Sequence, residues 1–121
     1  MPKAVLALGL DPRFVDLSQM PGLTPDLVRA YLDAQIARIG ELGHDVVSCL
    51  VDLGETAEAR TASALESRDF DCVLMGAGLR GEPQLLLFEK LLNLVHAKAP
   101  RAKICFNSSP ADTAEAVQRW I

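Results

Sequence analysis

The residues best suited to chemistry lie in residues 76–81 (GAGLRG), called here the glycine segment, which match the pattern GxGxxG. An apolar run precedes this segment and a leucine-rich helical pattern follows it, as in dinucleotide-binding turns. Helix N-termini offer unpaired N–H groups to anions, and a guanidinium can hold a phosphate or carboxylate through two hydrogen bonds. We therefore predict an anion site with Gly76, Gly78, Arg80 and Gly81 as binding residues.

Three features weaken the dinucleotide interpretation. The pattern follows the third predicted strand instead of the first, and Glu82-Pro83 adds an acid and a residue without an N–H group. Asn107 stands where a ribose-binding acid is expected. The alternative is that the glycines permit a tight turn with close helix packing and that Arg80 forms an internal salt bridge to Asp11, Asp52 or Glu82. The sequence identifies no cofactor.

Two acidic residues end the first two predicted strands, Asp11 and Asp52. They could face each other across a Mg²⁺ ion, but such residues more often cap turns, and we predict no metal site. We place Asp11 and Asn107 among the ligand-binding residues because both follow strands at the predicted binding edge.

Histidine and cysteine positions argue against several kinds of catalysis. His44 and His96 fall at the opposite edge of the predicted sheet, so Ser108 or Ser109 lacks a base, and no catalytic residue is assigned. The three cysteines lie inside apolar runs and are expected in the core. Their odd number, with no CxxC pair and no signal peptide, predicts reduced thiols in a cytoplasmic protein.

Strand and helix patterns alternate along the 121 residues, which predicts a single α/β domain over residues 1–121. Strands are predicted at 3–10, 44–53, 70–75 and 102–106, and helices at 24–42, 54–68, 83–99 and 109–121. We expect a three-layer α/β/α sandwich, Rossmann-like or flavodoxin-like, whose parallel sheet has the order 2-1-3-4. This order is preferred because it places the first and last helices on one face and the middle two on the other, and 3-2-1-4 is the alternative. The ligand crevice then lies between strands 1 and 3, walled by the glycine segment and the long loop 11–23.

The third predicted helix has an apolar arc of about 180°, wider than the roughly 100° needed to cover a core. This width predicts a homo-oligomer through Leu87, Leu91, Leu94 and the end of the chain at Trp120. The alternative is that the long loop or the last helix covers the arc within one chain.

Charge and hydropathy exclude two classes of partner. The net charge is −4, and the densest basic cluster (Lys98, Arg101, Lys103) is too small to follow a phosphate backbone, so no nucleic acid is expected. No apolar run approaches the roughly 18 residues of a membrane helix, so no membrane partner is expected. The leading hypothesis is a domain that binds a small anionic metabolite or nucleotide. The alternatives are a non-catalytic oligomerising module and an enzyme acting on a phosphate or carboxylate substrate.

Several segments carry a resemblance: LGLDP, VDLGET, GAGLRGEPQLLLFEKLLNLVHAKAP and RAKICFNSSPADTAEAVQRWI. With these segments the chain resembles, over nearly its whole length, a family of small bacterial and fungal proteins without an established activity. The resemblance implies a stand-alone Rossmann-like or flavodoxin-like domain. It carries over no functional residues.

Overall fold

A four-stranded parallel sheet forms the centre of the protein, whose residues 2–121 are described by a computed structural model. The strands are β1 (Ala4–Leu10), β2 (Asp45–Val51), β3 (Cys72–Met75) and β4 (Lys103–Phe106). Their order is β2-β1-β3-β4, and all three neighbouring pairs are parallel. The predicted order 2-1-3-4 is confirmed, and the alternative 3-2-1-4 is excluded.

Helices cover both faces of this sheet and make a three-layer α/β/α sandwich. They are α1 (Pro25–Glu41), α2 (Ala57–Glu66), α3 (Ala77–Arg80), α4 (Leu85–Lys98) and α5 (Thr113–Gln118). Helix α1 contacts α5 on one face, and α2 contacts α4 on the other. The even covering of the two faces, which led us to prefer this strand order, is therefore observed.

Strand β1 shows why both faces need a cover, because its side chains enter two separate cores. Leu6 and Leu8 belong to the core under α2 and α4, whereas Val5 and Ala7 belong to the core under α1 and α5. Successive side chains of a strand point to opposite faces, so a strand buried on both faces reads as a continuous apolar run.

The glycine segment differs from its prediction, because residues 77–80 form the one-turn helix α3 where a plain turn was expected. Gly81 is extended (φ −93°, ψ 161°) and ends this turn, and the Gln84 N–H then donates to the Gly81 carbonyl at 2.8 Å. The long helix therefore begins at Leu85 and not at Pro83.

Helix α4 also corrects part of the oligomer prediction. Leu91 is fully buried in the core beneath α2, so its assignment as an interface residue was wrong. Leu87 and Leu94 are partly buried against the same core. The wide apolar arc is covered mainly by the sheet and α2, and the side chain that stands out in solvent is Leu86, 75% exposed.

Among residues 2–121, each helix is too short or too polar to cross a lipid bilayer.

Candidate functional site

A crevice of about 330 Å³ opens at the C-terminal edge of the sheet, between the ends of β1 and β3. One wall is the loop after β1 together with α1, and the other is the glycine segment with the residues that follow β4. In parallel sheets this is the position where the winding direction reverses and ligands most often bind.

The lining of the crevice is mostly aliphatic. The apolar side chains include Leu10, Val15, Leu17, Met20, Val28 and Leu32. Polar groups come from the other wall, where the backbone of Gly76–Gly78 meets Asn107, Ser108 and Ser109. No ionisable side chain lines the crevice within the described part of the chain. An apolar molecule with one polar end matches such a surface.

Two interactions shape the loop that forms the first wall. The Asp11 carboxylate accepts the Arg13 backbone N–H at 3.0 Å and thereby starts a one-turn 3-10 helix, Pro12–Phe14. Phe14 and Val15 then pack against the core beneath α2 and α4. The first part of the loop is thus fixed by the polar contacts of Asp11 and by the apolar contacts of Phe14 and Val15.

Asp11 serves this loop and is not among the residues that line the crevice. Its Oδ1 atom lies 2.8 Å from Arg29 Nη2 and 3.3 Å from Arg13 Nε, and its side chain is only 14% exposed. Burial opposes ionisation of this carboxyl, but the hydrogen bonds from Arg13 and Arg29 outweigh it and hold its pKa below the usual value. Asp11 therefore ties the start of the loop to α1.

Asn107 is the buried centre of the second wall. Its Oδ1 accepts the Ala77 N–H at 2.9 Å, and its Nδ2 donates to Thr113 Oγ1 at 3.0 Å. The Thr113 hydroxyl in turn donates to the Pro110 carbonyl at 2.7 Å. One buried amide thus joins the end of β4 to the starts of α3 and α5. It holds the glycine segment in place beside the crevice.

Arg80 lies behind Asn107 and is not among the lining residues of the crevice. Its Nη1 donates to the Met75 carbonyl at 2.6 Å, and its Nη2 donates to the Asn107 carbonyl. The guanidinium also lies over the Phe106 ring, 4.9 Å from the centroid. Burial lowers the pKa of this guanidinium although Asp112 acts against the shift. Arg80 therefore joins the ends of β3 and β4 through their carbonyls.

Among the described residues, Arg80 forms no ion pair with the three acids proposed as partners, Asp11, Asp52 and Glu82. The alternative to ligand binding was an internal salt bridge. Arg80 does bind inside the protein, but its partners are backbone carbonyl oxygens instead of carboxylates. Anion binding by Arg80 stays a prediction.

The three glycines of the glycine segment differ in how much free space surrounds them. A Cβ atom on Gly78 would lie 3.4 Å from Leu10 Cβ and 3.6 Å from Val15 Cγ2, two residues that line the crevice. A Cβ atom on Gly76 would touch β1 at Leu8 O and Gly9 Cα, both 3.6 Å away. Gly81 is not among the residues that line the crevice, and a Cβ atom on it would meet nothing within 4 Å. Gly78 therefore leaves space in the crevice that any side chain would take.

The remaining candidates are engaged locally or lie elsewhere. Asp52 accepts the Gly54 N–H at 3.0 Å and the Thr56 hydroxyl at 2.7 Å, which makes it the cap of its own turn. His44 directly precedes β2 and His96 lies in the last turn of α4, so both lie toward the N-terminal edge of the sheet.

Sequence reasoning missed the aliphatic character of the crevice. Its apolar side chains come from β1, a loop and α1, and no local pattern joins three such elements. A signal was present in the loop, where Val15, Leu17 and Met20 are apolar residues in an irregular segment. A loop exposes such residues unless it covers another surface.

No protein-family model matches this chain, and no curated protein matches it. The family resemblance noted from the sequence stays a prediction.

Proposed function

We propose that this protein binds a small anionic metabolite in the crevice, and that the metabolite has an apolar body and a single carboxylate-like head. The observation that carries this proposal is the lining: aliphatic side chains on one wall and hydrogen-bonding groups on the other, at the C-terminal edge of a parallel sheet. The anionic character of the ligand is the prediction made from the sequence. Its apolar body is inferred from the aliphatic lining of the crevice.

The apolar wall supplies the affinity. Removal of apolar surface from water contributes about 25 cal/mol per Å². Met20 is 43% exposed at the crevice, and Leu17 and Leu32 are partly exposed there. A ligand that covers these side chains gains this free energy, whereas a bare phosphate or sulfate ion does not.

The polar wall favours a head group that accepts hydrogen bonds. Ser109 Oγ accepts the Ala111 N–H at 3.2 Å, so its own hydroxyl hydrogen can be donated to a ligand. Asn107 has a second Nδ2 hydrogen besides the one it gives to Thr113. The Arg80 guanidinium lies 3.4 Å behind the Asn107 amide oxygen and adds positive potential, which Asp112 partly offsets.

A nucleotide fits this lining less well than a monocarboxylate. Among residues 2–121, no aromatic side chain lines the crevice to stack on a base, and no lining side chain carries a charge that could hold a phosphate. We therefore rank an apolar monocarboxylate above a nucleotide.

A thermal-shift and calorimetry panel tests the proposal. It compares octanoate, octanol, octylamine, a benzoate, AMP and inorganic phosphate with the purified protein. We expect stabilisation by the apolar carboxylates, weaker effects of the alcohol and the amine, and none of phosphate. A ligand at one hundred times its Kd stabilises the fold by about 2.7 kcal/mol.

Two glycine variants place the ligand in the crevice. Gly78→Val fills space beside Leu10 and Val15, so we expect affinity to fall at least about tenfold, equal to about 1.4 kcal/mol. Gly81→Val is the matched control, because its new side chain points into open space, and it should bind like the wild type. A panel without any stabilising ligand, or equal binding by the two variants, contradicts the proposal.

Self-association is the second candidate function, and the exposed apolar side chains favour it. Leu86 is 75% exposed and Leu85 47% at the start of α4, and Trp120 is 52% exposed near the end of the chain. Light scattering with Leu86→Ser tests this candidate. A wild type that is strictly monomeric at tens of micromolar contradicts it. The three free thiols fit a reducing compartment, so we place the protein in the cytoplasm as part of the proposal.

A further inference from the structure

We propose that the occupant of the crevice is an unbranched aliphatic chain of about eight to twelve carbons with a carboxylate at one end, a medium-chain acyl group. This inference rests on the proposed function and narrows it to one class of ligand.

The first argument is the chemistry of the lining. Every apolar side chain that lines the crevice is a leucine, a valine or a methionine, apart from Ala77 and Pro110 in the opposite wall. Aliphatic side chains offer dispersion contacts to methylene groups, whereas ring ligands gain extra free energy from aromatic neighbours that this crevice lacks. Met20 is unbranched and flexible, so it can adjust to the chain it covers.

The second argument is volume. A methylene group at the packing density of a protein interior occupies roughly 27 Å³, so a crevice of about 330 Å³ holds roughly twelve of them. The crevice is open to solvent, so part of its volume stays with water. The length of chain in contact with protein is therefore about eight to twelve carbons.

The third argument is the arrangement of the two walls. The aliphatic side chains come from β1, the loop after it and α1, and the hydrogen-bonding groups come from the glycine segment and residues 107–109. In the part of the chain that the structure describes, no ionisable side chain lies between these two walls, so a second charge along the ligand would lose its hydration without compensation. A single head group on an uncharged chain satisfies both walls.

A chain-length series tests this inference. The Kd of linear carboxylates from four to fourteen carbons is measured by calorimetry, below the concentrations at which they form micelles. We expect the Kd to fall about fourfold for each added methylene and to stop falling at about ten to twelve carbons, where the crevice is full.

Two tryptophan variants decide whether the crevice sets this limit. Leu17→Trp narrows the crevice by roughly the volume of two methylenes, so the plateau should move about two carbons shorter. Leu86→Trp makes the same exchange on the exposed part of α4 and should leave the plateau unchanged. If the Kd stops falling at the same chain length in Leu17→Trp as in the wild type, the inference is overturned.

The outcomes also separate this inference from the proposed function. A flat chain-length series, with a benzoate or AMP that binds and is weakened by Gly78→Val, overturns the acyl chain and keeps the crevice as a ligand site. A panel in which no compound binds overturns both.

Discussion

The sheet has a cavity at each edge, and the two cavities differ in what lines them. The crevice at the C-terminal edge is mostly aliphatic, and none of its lining residues within 2–121 is ionisable. The cavity at the N-terminal edge is larger, about 400 Å³, and lies between the ends of α2 and α4 and the starts of β3 and β4. Its charged lining residues are Arg68, Asp69, Asp71, Lys98 and Arg101.

The difference shows that volume alone is a poor guide to a binding site. At the N-terminal edge three of the five charged side chains have partners: Lys98 Nζ lies 2.6 Å from Glu66 Oε1, Arg68 Nη2 lies 3.8 Å from Asp45 Oδ2, and Asp71 Oδ2 accepts the Ala4 N–H at 2.8 Å. Burying an apolar ligand among such charges would cost part of their hydration. The aliphatic crevice is the smaller of the two, but it gains free energy when an apolar ligand replaces water.

The polar residues at the C-terminal edge explain how the crevice stays aliphatic. Asp11 faces Arg13 and Arg29, and Arg80 faces the carbonyls of Met75 and Asn107. These side chains contact one another and the backbone, and so they build the walls instead of lining the space. Removing them should change stability more than it changes the chemistry of the lining.

The largest effect is expected for Asn107→Ala. The change leaves the Ala77 N–H without its acceptor and removes the bond to Thr113, both at a residue that is 3% exposed. A buried polar group without a partner costs about 1–3 kcal/mol, so we expect a loss of about 3 kcal/mol in the free energy of unfolding. Urea denaturation measures it.

Asn93→Ala on the exposed face of α4 is the control, since the Asn93 amide donates to the Glu89 carbonyl of its own helix and, within the described residues, to no other element. We expect a change within about 0.5 kcal/mol. Equal losses in the two asparagine variants would show that Asn107 does not hold the wall of the crevice.

The fold could be predicted from the sequence because its determinants are local or topological. Runs such as residues 4–10 are apolar on both faces, and glycine or proline separates the elements. The strand order followed from the need to cover both faces of the sheet with right-handed connections. Helix α3 could not be predicted, because four residues that include a glycine have too little helix propensity for a stable turn. Its Ala77 N–H is bound by the side chain of Asn107, which is 30 residues away in the sequence.

Only the position of the crevice at the C-terminal edge of the sheet could be predicted, because it follows from the strand order. The direction in which each side chain points could not be predicted, because its partners lie far away in the sequence. Asp11 meets Arg29, 18 residues later, and Arg80 meets Asn107, 27 residues later. Leu91 could not be assigned to the core for the same reason, since the helix that covers it is α2.

A smaller effect is expected for Asp11→Asn, and it depends on pH. The pKa of Asp11 is lower in the folded protein than its ordinary value, so its ionised form stabilises the fold. This stabilisation is complete above the unfolded pKa of about 3.9 and is lost as the pH falls through the folded pKa. We expect Asp11→Asn to cost about 1 kcal/mol at neutral pH, because it weakens three charge-assisted hydrogen bonds, of which the two from Arg13 are exposed and the one from Arg29 is partly buried.

Urea denaturation at several pH values checks this prediction through the difference between variant and wild type. The difference should shrink as the pH falls through the folded pKa of Asp11 and disappear where the carboxyl is protonated in both states. Asp33→Asn, an exposed change on the same helix as Arg29, should alter stability by less than about 0.5 kcal/mol throughout. A loss in Asp11→Asn that stays constant with pH would mean that packing, and not charge, fixes the loop.

The smallest effect is expected at the N-terminal cavity. A double-mutant cycle on Lys98 and Glu66 should give a coupling free energy of at most about 0.5 kcal/mol, despite the short distance of 2.6 Å. Both side chains are exposed to solvent by 35% or more, so water and salt screen the pair, and the coupling should fall toward zero at high ionic strength. The pair Lys90–Glu58, with side chains that are 61% and 56% exposed, is the matched control and should behave alike. A coupling free energy for Lys98–Glu66 that is well above that of the control, and unchanged by salt, would mean that the charges of this cavity are held in a fixed arrangement. Binding of a charged ligand at the N-terminal edge would then be a stronger hypothesis than binding of an apolar one at the C-terminal edge.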